Sequence, residues 1–372
     1  MKSSINSLGQ VLTRVEEQGR SVEARLSQLE AAQSTLTTVS SQLLRIERLL
    51  KDMADDRREA IKGVHSAGIV ATNQVRAEAG AMLRGVEARV AKILPAIGRI
   101  EKYSLTSAKR VALNTGGGAA LIRTEVGYVL CPSDDFALLS LLAERGDLEP
   151  GTRLFIQRYL REGDTYVDIG ANIGMHVLAA ARAMGGVGKV VALEPYGPTR
   201  ELLTKSISNN GFSDITDIYG AAAWNQNGRA RLHLATTCGC HSLFPIGQDQ
   251  NSSTVEVSLL RVDDVLDFNA SVVLMKIDAE GAELEVLAGA SKTISRCADI
   301  GLIVEFGPSH IARAGKSHDE WMKAFAEHGL EFRVINSETG KLEEWSLEQM
   351  KHENSLNLFF SRNTDSVRDR LR

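Results

Sequence analysis

Thr165-Tyr-Val-Asp-Ile-Gly-Ala-Asn-Ile-Gly174 reads as a buried strand running directly into a glycine turn. Outward from it, apolar runs alternate with helical stretches. A helix is predicted from Met175 to Met184, then a strand at Lys189 to Glu194, closed by Pro195. A helix over Thr199 to Asn209 and a strand over Ile215 to Ala222 follow. Arg229 to Leu234 and Val255 to Leu260 alternate apolar and polar residues, as paired hairpin strands do. Val272 to Ile277 and Gly301 to Phe306 are buried strands, with helices at Glu283 to Ala288 and Trp321 to His328. Phe332 to Asn336 and Leu356 to Phe360 close the chain as edge strands. Strands alternating with helices predict an α/β fold with a doubly wound, mainly parallel sheet. In such sheets ligands lie beyond the carboxyl ends of the strands, where strand order reverses.

Three motifs stand at strand ends. In Asp168-Ile-Gly-Ala-Asn-Ile-Gly174, Gly170 and Gly174 permit a tight turn and close approach of a ligand, while Asp168 and Asn172 offer polar groups. The spacing is not the dinucleotide GxGxxG, which disfavours a nicotinamide dehydrogenase. Glu194 ends the next strand, 20 residues beyond Gly174, where a carboxylate can accept both hydroxyls of a ribose. Lys276-Ile-Asp278-Ala-Glu280-Gly281 ends a fully apolar strand. Charges beside such a strand are costly unless satisfied or used. Asp278 and Glu280 are two residues apart and face one side of an extended segment, so either could orient an acceptor or take its proton, with Lys276 tuning them. The alternative for Glu280 is a helix N-cap.

Together VDIGANIG at 167–174, ALEP at 192–195, KIDAEGAELEVLAGA at 276–290 and IVEF at 303–306 resemble the FkbM family of S-adenosylmethionine-dependent methyltransferases. The resemblance covers about residues 121–362, and Gly146-Asp-Leu-Glu149-Pro150 fits the family's lead-in to its first helix. It implies a class I methyltransferase (Rossmann-like) fold, a seven-stranded sheet with S-adenosylmethionine across its first strands. Carried over by position, Asp168, Gly170, Asn172 and Gly174 would surround the methionine end, Glu194 would hold the ribose, and Ala222 would lie near the adenine. Asp278 and Glu280 would face the methyl and the acceptor, and Glu305 is a weaker candidate on the acceptor side. His176 is a possible base, though a helix-surface histidine is the plainer expectation. The implied reaction is O-methylation of a hydroxyl on a sugar, polysaccharide or other metabolite, with Asp278 or Glu280 as base. The competing reading is a coiled-coil scaffold carrying a non-catalytic methyltransferase-like domain.

The rest of the chain is built differently. Residues 1–94 contain no Pro, Cys or aromatic residue, so all 7 Pro and 4 Cys lie beyond them. Residues 1–110 balance at +6 and the remainder at −10, which argues against a nucleic-acid surface on the acidic part. Ile5, Leu8, Leu12, Val15, Val22, Leu26, Leu29 and Leu36, then Val39, Leu43, Ile46, Leu50 and Met53, follow heptad spacing. The expected organisation is a long α-helical coiled-coil arm over 1–110, strongest over 3–56, that makes a homo-oligomer. A Gly-rich linker at 111–120, the catalytic domain at 121–362 and a polar tail at 363–372 follow. No metal is expected: Cys238-Gly-Cys240-His241 has neither the spacing nor the second ligand pair of a zinc site. With no signal peptide and no long apolar run, the expected location is cytoplasmic, without a transmembrane segment.

Overall fold

The computed structural model describes residues 40–55, 79–91, 112–235, 239–246 and 253–372. The chain divides into Met1–Lys109 and Arg110–Arg372. In the first part residues 40–55 and 79–91 are helical. The heptads before residue 40 and the join around Pro95 lie outside the described residues. Leu43, Ile46, Leu50 and Met53, the later heptad positions, are exposed. No helix among the described residues is long and apolar enough to cross a membrane.

The second part is an α/β fold. Its large sheet contains β4 (Thr165–Ile169), β5 (Lys189–Leu193), β6 (Thr216–Tyr219), β10 (Val272–Ile277), β11 (Gly301–Phe306), β12 (Glu331–Ile335), β13 (Leu342–Glu343) and β14 (Leu356–Ser361). Their order is β13-β12-β14-β11-β10-β4-β5-β6. From β11 to β6 every pairing is parallel, whereas β14 runs antiparallel to β11 and β12. This is the expected doubly wound, seven-stranded sheet, extended at one edge by the two-residue β13. Strand order reverses between β4 and β10, so the carboxyl ends of β4, β5 and β10 border the crevice.

Residues of period two build a separate core on each face of the sheet. Tyr166, Val190, Ala192, Leu274, Ile303 and Phe359 face one way. There they meet helices α2 (Pro150–Tyr159), α3 (Met175–Ala183) and α4 (Gly197–Asn209), which follow α1 (Phe136–Arg145). Val167, Val191, Met275, Leu302 and Phe360 face the other way, toward α5 (Glu283–Gly289), α6 (Pro308–Arg313) and α7 (His318–Ala326). Both faces are covered, hence the nearly unbroken apolar strands.

Three expectations need correction. The expected linker over 111–120 is, from residue 112 on, a sheet. Ala112–Gly116 (β1) and Ala119–Thr124 (β2) form a hairpin that continues into β3 (Gly127–Pro132). β3 is fastened to α4, where the Ser206 hydroxyl accepts the buried Leu130 N–H at 2.9 Å. The predicted strand over Ile215 to Ala222 is broken at Gly220, beyond which β7 (Ala221–Ala223) joins a second sheet with β9 (Thr254–Leu260) and β8 (Gly228–His233). The Arg200 side chain fills the space a side chain at Gly220 would need, and its guanidinium donates to the Glu194 and Pro195 carbonyls. Residues 363–372 are not merely a polar tail: Asp365–Arg370 is helical, Val367 is buried, and Arg370 grips both oxygens of Asp164 at 2.6 and 2.9 Å.

At the end of β4, Gly170 has φ +76°, and an added β-carbon would meet the Asp278 carbonyl oxygen at 2.0 Å. The turns after β4 and β10 are packed backbone to backbone here. Gly170→Ala is expected to lower unfolding free energy by roughly 3 kcal/mol or more in urea titrations. Gly163→Ala, also at positive φ but in open space, costs only about 1–2 kcal/mol.

Candidate functional site

Gly170, Asn172, Glu194, Ala222, Lys276, Asp278 and Glu280 line one cleft above the strand ends. Counted to its open mouth, the cleft holds about 900 Å³. Two predicted residues stand behind it. Gly174, at φ +95°, begins α3, and Asp168 is 1% exposed on β4.

Asp168 and Lys276 are register partners on neighbouring strands, so their side chains leave the same face. Lys276 is 2% exposed and its Nζ donates to Asp278 Oδ2 at 2.7 Å. Burial alone would lower its pKa, but Asp278, Glu149 and Asp168 outweigh burial and raise it. The ammonium therefore stays charged. Burial pushes the Asp168 carboxyl up to about 6 against the pull of Lys276, and neither oxygen meets a donor at hydrogen-bond geometry. Asp278 is also raised by burial, opposed by Lys276.

Glu194 is 6% exposed and links two loops. Its Oε2 accepts the Asn172 N–H at 3.0 Å and its Oε1 the Tyr196 N–H at 2.9 Å. Burial still pushes its pKa up to about 7. Each oxygen keeps a lone pair for another donor. Asn172 holds its turn at φ +48°. The small Ala221-Ala222-Ala223 run of β7 forms the wall beyond.

Glu280 has φ +52°, and its side chain meets His310 Nε2 at 3.3 Å and Arg313 at 3.4 Å. Burial, with Glu305 and Asp278 nearby, pushes its pKa up to about 8 in spite of those cations. Glu305 stands behind, accepting from the Ser355 hydroxyl at 2.6 Å and lying 3.5 Å from His310 Nδ1. The neighbouring Glu305 carboxylate raises the imidazole pKa of His310. Glu280, Glu305 and His310 bring oxygen and nitrogen donors within 4.8 Å of one another, but Arg313 supplies positive charge at that spot, making it an ion-pair cluster.

Neither Asp278 nor Glu280 caps a helix. Glu283 in α5 turns back to accept the Gly281 N–H at 2.9 Å and the Ala279 N–H at 3.3 Å. His176 is not on the surface: it lines the cleft at 7% exposure. Burial, then Lys276, lowers its pKa to about 3, so it is neutral and a poor proton acceptor. The sequence reading missed Glu149, His241, Glu283, His310 and Arg313. Of these, Glu149 and His241 stood in motifs noted for other reasons, Glu283 carried a local signal as an acidic residue in a first helical turn, and His310 and Arg313 carried none. Cys238 lies outside the described residues; Cys240 is exposed, and Cys131 and Cys297 are buried free thiols.

Residues 168–332, somewhat under half of the chain, match the Methyltransferase FkbM domain. No curated protein matches the sequence. Among solved structures, a methyltransferase FkbM from Methylobacillus flagellatus KT is similar at 17% identity and a TM-score of 0.37, over 54% of this chain and 44% of that one. The chain thus spans less than half the length of that protein. A SAM-dependent O-methyltransferase from Thermotoga maritima is similar at 15% identity and a TM-score of 0.34, over 66% of this chain and 78% of that one. A precorrin-6y C5,15-methyltransferase from Geobacter metallireducens GS-15 is similar at 12% identity and a TM-score of 0.34, over 57% and 87%.

Asp168, Glu194, Glu280 and Glu283 all bind their protons more tightly folded than unfolded. The stability they contribute is complete below the ordinary carboxyl range and is lost as pH rises through about 6 to 8. The thermal midpoint, followed by dye fluorescence, is expected to fall from pH 6 to pH 8.5, with a shallower fall above pH 7.5 in Glu280→Gln. A midpoint rising over that interval would contradict the assigned burial of these carboxyls. Lys276→Met should cost roughly 3–5 kcal/mol, since it strands buried carboxylates without their cation.

Proposed function

We propose that this protein is an S-adenosylmethionine-dependent methyltransferase that methylates a hydroxyl on a sugar, polysaccharide or other metabolite. The observation that carries the reading is the convergence of Glu194, Asp278 and Glu280 on one cleft at the strand-order reversal. The donor set suits the cofactor. Glu194 has one lone pair left on each oxygen for the two ribose hydroxyls. The turn from Gly170 to Asn172 lines the part of the cleft where the amino-acid end would lie. Asp278 and Glu280 oppose a cation, and the alanines of β7 leave room for a flat base. Bound there, the cofactor supplies a methyl group made electrophilic by its sulfonium sulfur.

The chain then has two tasks. It holds the acceptor oxygen in line with the methyl, which can lower a barrier by about 7–11 kcal/mol in favourable cases. It also takes the hydroxyl proton, and here Glu280 and Asp278 divide the work. Asp278 is committed to Lys276 at 2.7 Å and orients; Glu280, raised to about 8, is matched to accepting a proton near neutral pH. His310 and Arg313 keep Glu280 from rising further. The exposed Leu43, Ile46, Leu50 and Met53 support self-association through the arm, which would present several such sites to one polymeric acceptor.

Isothermal calorimetry with S-adenosylmethionine tests the binding half. The wild-type chain is expected to bind, and Glu194→Ala to bind at least tenfold more weakly. No heat from a folded protein would favour the non-catalytic scaffold. For the chemistry, label transfer from methyl-labelled cofactor into cell extract fractions should fall about 10²–10⁴-fold in Glu280→Gln. Affinity for S-adenosylhomocysteine should stay within about threefold.

A further inference from the structure

The segment between β8 and β9 carries Gly239, Cys240 and His241, and it is fastened on both sides of the cleft. A bridge joins it to β8: the His233 N–H donates to the Ser242 carbonyl at 2.8 Å and the Ser242 N–H returns at 3.1 Å. The Ser242 hydroxyl donates to the Glu280 carbonyl at 2.8 Å and accepts the Phe244 N–H at 3.1 Å. On the other side Gly239, at φ +99°, lies so close that an added β-carbon would stand 2.8 Å from Asn172 Nδ2. The segment thus touches the turn after β4 through Gly239 and the turn after β10 through Ser242.

His241 sits between those anchors and lines the cleft with Glu194 and Asn172. Its ring stands edge-on to Tyr196, centroids 4.8 Å apart at 81°. Its Nδ1 accepts the Ala235 N–H at 3.0 Å. A nitrogen that accepts carries no proton, so in the neutral ring the hydrogen is on Nε2. Burial lowers this imidazole's pKa, which favours that neutral form. Glu194, an acceptor pair, and His241, whose donor position in the neutral ring is Nε2, therefore line the same cleft, the histidine on a segment held by backbone ties.

A ribose hydroxyl needs both. It gives its proton to a carboxylate and leaves its own lone pairs in need of a donor. The N–H groups of Asn172 and Tyr196 are spent on Glu194. We propose that His241 is a nucleoside-binding residue, its Nε2–H donating to a ribose hydroxyl whose proton goes to Glu194. The proposal rests on the methyltransferase reading above and adds to it a second ribose contact, from outside the large sheet. It also gives the segment from Gly239 to His241 a role in ligand binding.

Calorimetry on the full chain with S-adenosylhomocysteine and with 5′-methylthioadenosine, each against its 2′-deoxy and 3′-deoxy analogues, tests it at pH 7.5. His241→Ala should weaken both ribose ligands about tenfold, the worth of one net hydrogen bond near the top of its usual range. His241→Gln, whose amide can place a donor where Nε2 was, should stay within about threefold. In wild type one of the deoxy analogues should bind more weakly than its parent; in His241→Ala that difference should shrink toward the part owed to Glu194. Three results would overturn the proposal: His241→Ala binding like wild type while Glu194→Ala loses affinity, His241→Ala weakening ribose and both deoxy ligands equally, or His241→Gln failing as badly as His241→Ala in a folded protein. If wild type itself takes up neither nucleoside, the methyltransferase reading fails with it, which separates the two.

Discussion

One buried ammonium organises the site. Lys276 Nζ reaches Asp278 at 2.7 Å and stands in the field of Asp168 and Glu149, themselves shifted upward by burial. Without that cation, carboxyl groups on adjacent strands could not share one low-dielectric space while ionised. The lysine is where it is because β10 and β4 are parallel and in register, Lys276 beside Asp168, at the place where strand order reverses. Its charge and the sheet topology therefore depend on each other. The crevice exists because the chain leaves β4 and β10 toward opposite faces of the sheet, and it can be acidic because the lysine lies beneath it.

Above this layer the loops are locked backbone to backbone. The Gly170 and Ala171 N–H groups both reach the Leu193 carbonyl, the Asp278 N–H reaches Ile169, and Glu194 takes N–H groups from the Asn172 and Tyr196 loops. Three strand ends thus form one rigid rim, which suits chemistry that depends on positioning. The Glu280 side of the cleft is looser in kind. It is made of side-chain ion pairs, Glu280 with His310 and Arg313, which can be rearranged at less cost than a backbone ladder.

What could be read from the sequence follows from the range of the forces involved. Nearly unbroken apolar runs specify strands covered on both faces, so β4, β5, β10 and β11 were legible, and with them the strand-end positions of Gly170, Glu194, Asp278 and Glu280. The hairpin at 112–124 was hidden because Gly116-Gly117-Gly118 has the composition of a linker, and only pairing with β3 and the Ser206 contact to α4 give it a place. The terminal helix was hidden because its anchor, Asp164, lies 206 residues away. His310 and Arg313 reach the site through tertiary packing, and nothing in their neighbours announces it; Glu149 stands in a family-like segment that does not show it reaching the site. His176 looked like a surface residue because the sequence does not show which face of α3 meets α2. Glu283, not Glu280, restrains the 278–281 turn because its carboxylate can reach back to the Gly281 N–H.

The central claim is that these strand ends hold an S-adenosyl nucleoside with its sulfur toward Asp278 and Glu280. An experimental structure of the full chain with S-adenosylhomocysteine tests it most directly. The account predicts ribose hydroxyls within hydrogen-bond distance of both Glu194 oxygens, the base against β7, and the sulfur on the side of Asp278 and Glu280. A ligand bound elsewhere on the molecule, or in this cleft with its ribose away from Glu194, would contradict it.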